Sequence, residues 1–305
     1  MLRKESKLGA GSLSEGLIGT LLGLRKHLSG HALNRDNVAR GLLRFASYQM
    51  AWRATGNPTV IDWVGGTRLI VGQGMRGVTG EAYMGVNEYT DVMFCAHFLR
   101  PGDLFVDCGA NVGSYSVMAA KVTGAHAFAI EPILATIPQL EDHIHLNRVD
   151  DLVEICTTGV SDKSGELWFT GDADALNHVI DGPGGNAVRI SVETLDTVIG
   201  ARTPICLKID VESHEPSVVA GAGETLSNPA LQAVLIETAP DHRTPKMLAA
   251  FTDRGLHPHL YDPMTRQLTK SHGFHWHNTL FVRDADFVAE RLRAAPGVKV
   301  GNRLI

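Results

Sequence analysis

An acidic residue and two glycines, Asp107-Cys108-Gly109-Ala110-Asn111-Val112-Gly113, close the apolar run Leu104 to Cys108 and open a helical pattern from Ser114 to Lys121. Glycines at a strand-to-helix turn let the backbone bend tightly and approach a bound molecule. The G-x-G-x-x-G spacing that cradles a dinucleotide pyrophosphate is absent, because three residues separate Gly109 from Gly113. Such a turn suits a nucleoside ligand held without phosphate recognition. Glu131 ends the next apolar run, 24 residues after Asp107 and just before Pro132, where a carboxylate can accept from both ribose hydroxyls. Ser161 and Asp162 end the third run, in reach of an adenine edge. Each alone has a plain structural role, Asp107 as a helix cap and Glu131 as a solvated loop acid. Polar groups at the ends of three consecutive strands instead describe a nucleoside site, with S-adenosyl-L-methionine as the candidate cofactor.

A second group follows the fourth run, Asp210-Val211-Glu212-Ser213-His214-Glu215. Methyl transfer from a sulfonium is an in-line displacement, so the protein must align an acceptor oxygen behind the methyl carbon and remove its proton. Asp210 and His214 are the leading candidates for the base and His242 the next, with Glu212 as an acceptor-binding candidate. The structural alternative is that Glu212 and Glu215 cap the following helix. Of 14 histidines, five fall between His257 and His277, and His275 and His277 are candidate acceptor contacts. A divalent metal on this cluster is weighed but not assigned, because H-x-x-H-x-H ahead of a strand does not make ligands converge. The polar, glycine-rich stretch Asp172 to Asn186 is long enough for a lid, and Asn177 and His178 are its candidate substrate contacts.

The elements that must hold these residues are legible as runs at 104–108, 126–131, 153–160, 205–211, 233–238, 257–262 and 278–283. Apolar runs separated by helix-length gaps predict an α/β fold with a doubly wound, mostly parallel sheet. We expect seven strands, one of them antiparallel, helices on both faces and a helical N-terminal extension. The predicted division is a basic helical extension over 1–55 and a catalytic domain over 56–305. Within that domain a hairpin and helix over 56–100 lead into a core over 101–285 and a tail over 286–305. A helix is expected from Asn34 to Trp52, capped by Asn34 or Asp36.

Composition narrows the class. The 305 residues are 44 % apolar with a net charge of −5, which argues against a nucleic-acid partner. The charge is uneven, since residues 1–53 carry 9 basic and 3 acidic side chains. This arm is a candidate for docking, with homo-oligomerisation among its open roles. Cys95, Cys108, Cys156 and Cys206 show no C-x-x-C spacing, so a reducing, cytoplasmic location is expected. No window reaches the length of a membrane-spanning helix.

The segments VDCGANVGSYS, AIEP, HLNRVDDLVEICTTGVSDKSGEL, VETLDTV, LKIDVESHEPSVVAGAGETL and AVLIET, in this order, resemble the FkbM-type S-adenosylmethionine-dependent methyltransferases. The resemblance implies a Rossmann-like class I core and O-methylation of a hydroxyl on a sugar, glycan or polyketide-like natural product. It implies cofactor contacts from Asp107, Gly109, Ala110, Asn111, Gly113, Ser114, Glu131, Pro132, Ser161 and Asp162, and it marks Glu88 as the acid that precedes the core. Ser213 departs from the pattern, which usually has glycine there. A non-catalytic adenosyl-binding scaffold is the alternative, and the intact Asp107, Gly109, Asn111, Gly113 and Glu131 weigh against it.

Overall fold

The computed structural model of the chain describes residues 23–72, 75–170, 179–180, 182, 187–238, 244–271 and 277–305. Residues 23–30 are helical, and helix α1 (Val38–Thr55) follows. Its cap is Asn37, whose Oδ1 accepts from the Arg40 amide at 3.1 Å, and not the expected Asn34 or Asp36. Asn34 is committed elsewhere: its buried amide donates to the Met84 carbonyl at 2.8 Å and its Oδ1 accepts from Arg44 at 2.6 Å. Gly56 ends α1 in the left-handed region at φ 66°. Strands β1 (Thr59–Asp62) and β2 (Arg68–Val71) pair as the expected antiparallel hairpin. Short helices α2 (Arg76–Thr79) and α3 (Glu81–Met84) precede α4 (Tyr89–Phe98), which is apolar nearly all round and almost wholly buried.

The core begins with β3 (Leu104–Cys108), α5 (Ser114–Met118) with a π-helical turn over Ala119–Thr123, β4 (His126–Ile130), α6 (Ile137–Asn147) and β5 (Val153–Cys156). Strands β6 (Gly159–Ser161), β7 (Gly165–Thr170), β8 (Val179–Ile180) and β9 (Ala187–Thr194) lead to α7 (Leu195–Ile199) and β10 (Cys206–Ile209). Helices α8 (Glu215–Ala220) and α9 (Gly223–Ser227) precede β11 (Ala233–Thr238), α10 (Thr244–Thr252), β12 (His257–Asp262) and β13 (Gln267–Lys270). The chain closes with β14 (His277–Val282), α11 (Ala285–Ala294) and a hairpin of β15 (Lys299–Val300) and β16 (Arg303–Leu304).

The main sheet has eight strands, not seven, in the order β13-β12-β14-β11-β10-β3-β4-β5. Two strands run against the rest: β14 is antiparallel to β11 and β12, and β13 is antiparallel to β12. The extra edge strand, QLTK, is polar and mostly exposed, so it lacks the apolar run that marks the others. The predicted 153–160 strand is also two elements. β4 ends at Ile130, so β5 has no partner past Cys156, and the chain turns away to pair β6 with β9 in a separate sheet ordered β6-β9-β7-β8.

Alternate strand residues feed two cores. Phe105, Ala127, Ala129, Leu235 and Val282 pack with α4, α6 and α11 on one face. Val106, Phe128, Leu207, Ile236 and Phe281 pack with α8, α10 and Leu195 on the other. The connections run outward in opposite directions from β3 and β10, so a crevice opens between the carboxyl ends of these two parallel neighbours.

Candidate active site

The turn after β3 is built by a close backbone approach. Gly109 has φ 83°, and a Cβ there would stand 1.8 Å from the Asp210 carbonyl oxygen. The Asp210 amide donates to the Cys108 carbonyl at 3.0 Å, which holds the two loops at that spacing. Asn111 also takes positive φ, 50°, with its Oδ1 accepting from the Val112 amide at 2.7 Å. Glu131 closes the turn from the neighbouring strand: Oε2 accepts from the Asn111 amide at 2.9 Å and Oε1 from the Ile133 amide at 2.8 Å. Burial holds the Glu131 carboxyl up at about 7 against these two hydrogen bonds.

Asp107 is buried, and its Oδ2 accepts from the Ser116 hydroxyl at 2.7 Å. Its Oδ1 is buried without a partner among the described residues, which leaves an acceptor open beside the cavity that Asp107 lines. Burial raises the Asp107 carboxyl while Lys208 and Ser116 pull it down.

Lys208, on β10, is buried with its Nζ 2.7 Å from Asp210 Oδ2 and 4.8 Å from the centre of the Tyr115 ring. Burial works against its ammonium, but Asp210, Glu88 and Asp107 outweigh it and raise its pKa. Glu88 accepts from the Tyr115 hydroxyl at 2.8 Å and from Asn278 at 3.0 Å, and Asn278 also donates to Asp91 at 2.9 Å. Three carboxylates therefore face one cation, which leaves the centre of the site negative.

These groups line a cavity of about 270 Å³. Of the residues singled out from sequence, Asp107, Gly109, Ala110, Asn111, Ser114, Glu131 and Pro132 stand on its wall. So do Glu88, Asp210, Glu212 and His214. Gly113 does not: with φ 80° it makes room for Leu140, whose Cδ1 would lie 2.1 Å from an added Cβ. Ser161 and Asp162 are also off the wall. Ser161 is buried with its hydroxyl 3.0 Å from His214 Nε2, and Asp162 is exposed, because β6 leaves the main sheet before reaching the crevice. Their place is taken by Val160 and Phe169, the latter on β7 of the small sheet.

His242, Asn177, His178 and His275 lie outside the described residues, as does most of the Asp172 to Asn186 stretch. His277 is the first residue of β14 and the register partner of Thr238. Among the described residues no group of three His, Cys, Asp or Glu side chains could hold a metal ion. Glu215 does not cap the helix it opens; it braces the preceding loop, its Oε1 accepting from the Val211 amide at 3.0 Å. Ser213 has φ 73° and follows Glu212 at φ 51°, so the serine sits where glycine would be unstrained.

Lys208, Tyr115, Trp63, Glu81 and Phe169 were not singled out from sequence, yet all line the cavity. Lysine in an apolar run was the one available signal, in LKIDV. Glu81 accepts from Trp63 Nε1 at 2.8 Å and from the Asn87 amide at 2.9 Å, and burial pushes its carboxyl up to about 7. A raised acid stabilises the fold below its unfolded pKa and loses that contribution as pH climbs through the folded value, here between about 4.5 and about 7. Glu81→Gln keeps an oxygen acceptor and removes the ionisation. Urea unfolding at pH 5 and pH 8 should show wild type losing stability relative to Glu81→Gln by on the order of 2 kcal/mol at the higher pH. Parallel behaviour of the two proteins would refute the assignment.

Residues 107–274 match the Methyltransferase FkbM domain. The chain belongs to the FkbM methyltransferase family. No curated protein matches it. Among solved structures, it is similar to the methyltransferase FkbM of Methylobacillus flagellatus, at 16 % identity and TM-score 0.41, with 67 % of this chain and 52 % of that one covered. It thus spans about half the length of that relative. A TehB-like SAM-dependent methyltransferase of Corynebacterium glutamicum is similar at 12 % identity and TM-score 0.41, covering 68 % of this chain and 95 % of the other. An rRNA methylase of Streptococcus thermophilus follows at 11 % identity and TM-score 0.38, covering 63 % and 91 %. The match begins at Asp107, the residue that opens the glycine turn after β3, and it includes Glu131 after β4.

Proposed function

We propose that the protein is an S-adenosylmethionine-dependent O-methyltransferase acting on a hydroxyl of a small molecule, of the sugar, glycan or polyketide-like class. The observation that carries this reading is the pair of buried acceptors in one cavity, the unpartnered Oδ1 of Asp107 and the Glu131 carboxylate. Lys208 is the one lysine or arginine among the described lining residues, and it is locked onto Asp210. A phosphate would find no free cation there, whereas a nucleoside with hydroxyls and positive charge finds carboxylates. When bound, the donor supplies a methyl group on a sulfonium centre. Glu131 would accept from the ribose hydroxyls, Asp107 Oδ1 would take a further donor N–H or O–H, and Phe169 and Val160 would provide an apolar wall for a base. The four cysteines are free thiols, which supports a reducing compartment such as the cytoplasm. No helix among the described residues is long and apolar enough to cross a membrane.

Calorimetry with S-adenosylmethionine and S-adenosylhomocysteine tests the donor assignment. Both should bind wild type, NAD should not compete, and Glu131→Ala should weaken binding about 100-fold, the loss of two hydrogen bonds to a charged acceptor. A folded wild-type protein that binds neither ligand refutes the reading.

A further inference from the structure

A second cavity, of about 830 Å³, opens on the far side of Glu88 and Asp210, which stand on the walls of both cavities together with Asn87. Its remaining wall comes from α4, from β11, β12 and β14, and from the N-terminal segment through Lys26, His27 and His31. That segment is seated firmly. Leu28 is fully buried, and His31 lies edge-on to Tyr89 with Nε2 3.3 Å from the Asn87 carbonyl oxygen. The basic arm thus bears on the catalytic domain itself, at the end of the crevice away from the nucleoside wall.

We propose that this second cavity is the acceptor site, closed on its outer side by residues 23–32, and that Glu237 is the group that takes the acceptor hydroxyl's proton. The proposal rests on the methyl-transfer reading above. Glu237 follows Ile236, which pairs in register with Ile209, so it stands beside Asp210 at the carboxyl edge of the sheet. It lines the second cavity and not the first.

The other carboxylates on the wall of the second cavity are engaged. Asp210 is paired with Lys208, Glu88 is held by Tyr115 and Asn278, and Asp91 is held by Asn278. His214 faces Ser161 and lines the first cavity only. His259 lines the second cavity from β12, which β14 and β11 separate from β10. The Glu237 carboxylate has no hydrogen-bond or ion-pair partner among the described residues.

In the reaction the acceptor oxygen forms its bond to the methyl carbon as the carbon–sulfur bond breaks. The electron pair of that bond goes to sulfur, which leaves as a thioether, and the hydroxyl proton passes to the Glu237 carboxylate. Burial, then Asp210, Glu215 and Glu212, hold this carboxyl up at about 7, with Lys208 opposing. Glu88, just ahead of α4, and Asp91 on it face it across the cavity, His259 from β12, and Lys26, His27 and His31 from the N-terminal segment. A carboxylate with a pKa near neutrality is suited to general-base work.

The test measures transfer of a labelled methyl group from S-adenosylmethionine into a probe panel of methyl glycosides, inositols, catechol and a long-chain alcohol. Glu237→Gln should lower the rate on any productive probe by about 100-fold or more while leaving S-adenosylhomocysteine affinity within about twofold. The wild-type rate should rise with pH through about 7 to a plateau as Glu237 ionises. A flat profile counts against Glu237 even if the variant fails to fold. Transfer by Glu237→Gln within threefold of wild type, or a wild-type rate flat from pH 6 to 8, overturns the proposal. Donor binding without transfer to any probe overturns it too and leaves the donor site standing, whereas failure to bind donor defeats the methyl-transfer reading itself.

Discussion

Gly109→Ala should cost the protein at least about 3 kcal/mol of stability and abolish donor binding, measured by urea unfolding and calorimetry. An added Cβ would stand 1.8 Å from the Asp210 carbonyl oxygen, a backbone atom with no rotamer to change. The two loops cannot simply part, because β3 and β10 are hydrogen-bonded neighbours up to Cys108 and Ile209 and the Asp210 amide continues the ladder. Gly66→Ala is the control. It has a similar φ, 84°, with nothing within 4 Å of the added carbon, so it isolates backbone strain, which alone costs about 1–2 kcal/mol. Equal losses in the two variants would show that the close approach is not what constrains position 109.

Lys208→Met should cost about 3–5 kcal/mol, because it leaves Asp210, Asp107 and Glu88 as buried or part-buried carboxylates without their shared cation. The side chains are close in length, so loss of packing is small and the charge decides the outcome. Adding Asp210→Asn to Lys208→Met should restore part of the loss, since one of the stranded charges disappears. A double variant as unstable as the single would assign Lys208 a packing role instead. The raised Asp107 carboxyl should move further up without Lys208, so the stability deficit should shrink as pH falls and Asp107 becomes neutral.

Much of the first cavity was legible because it is local in sequence. Asp107, Gly109 and Asn111 belong to one turn, and Glu131 ends the adjacent strand, so the apolar runs that define β3 and β4 place them together automatically. The same reasoning did not foresee where Ser161 and Asp162 stand. Their run reads as one strand, and only the loss of a partner beyond Ile130 sends β6 into a second sheet and brings Phe169 to the wall instead. The second cavity was less visible. Glu237 ends a run whose pattern signals only a buried strand, and the Glu88, Asp91 and Asn278 cluster joins residues about 190 positions apart.

The charged N-terminal arm shows the same division. Its composition was plain in the sequence, and so was its helical pattern, although Asn37 and not Asn34 caps the helix. Where it docks was not, since that depends on Asn34 and His31 meeting residues 84–89 across the fold. By itself, then, the sequence determined the α/β class, the strand-end acids and the glycine turn, because hydrophobic period and local backbone requirements act over a few residues. The tertiary structure alone decided the antiparallel edge, the Lys208 charge cluster and the wall of the second cavity, because those arise from register and burial between segments far apart in the chain.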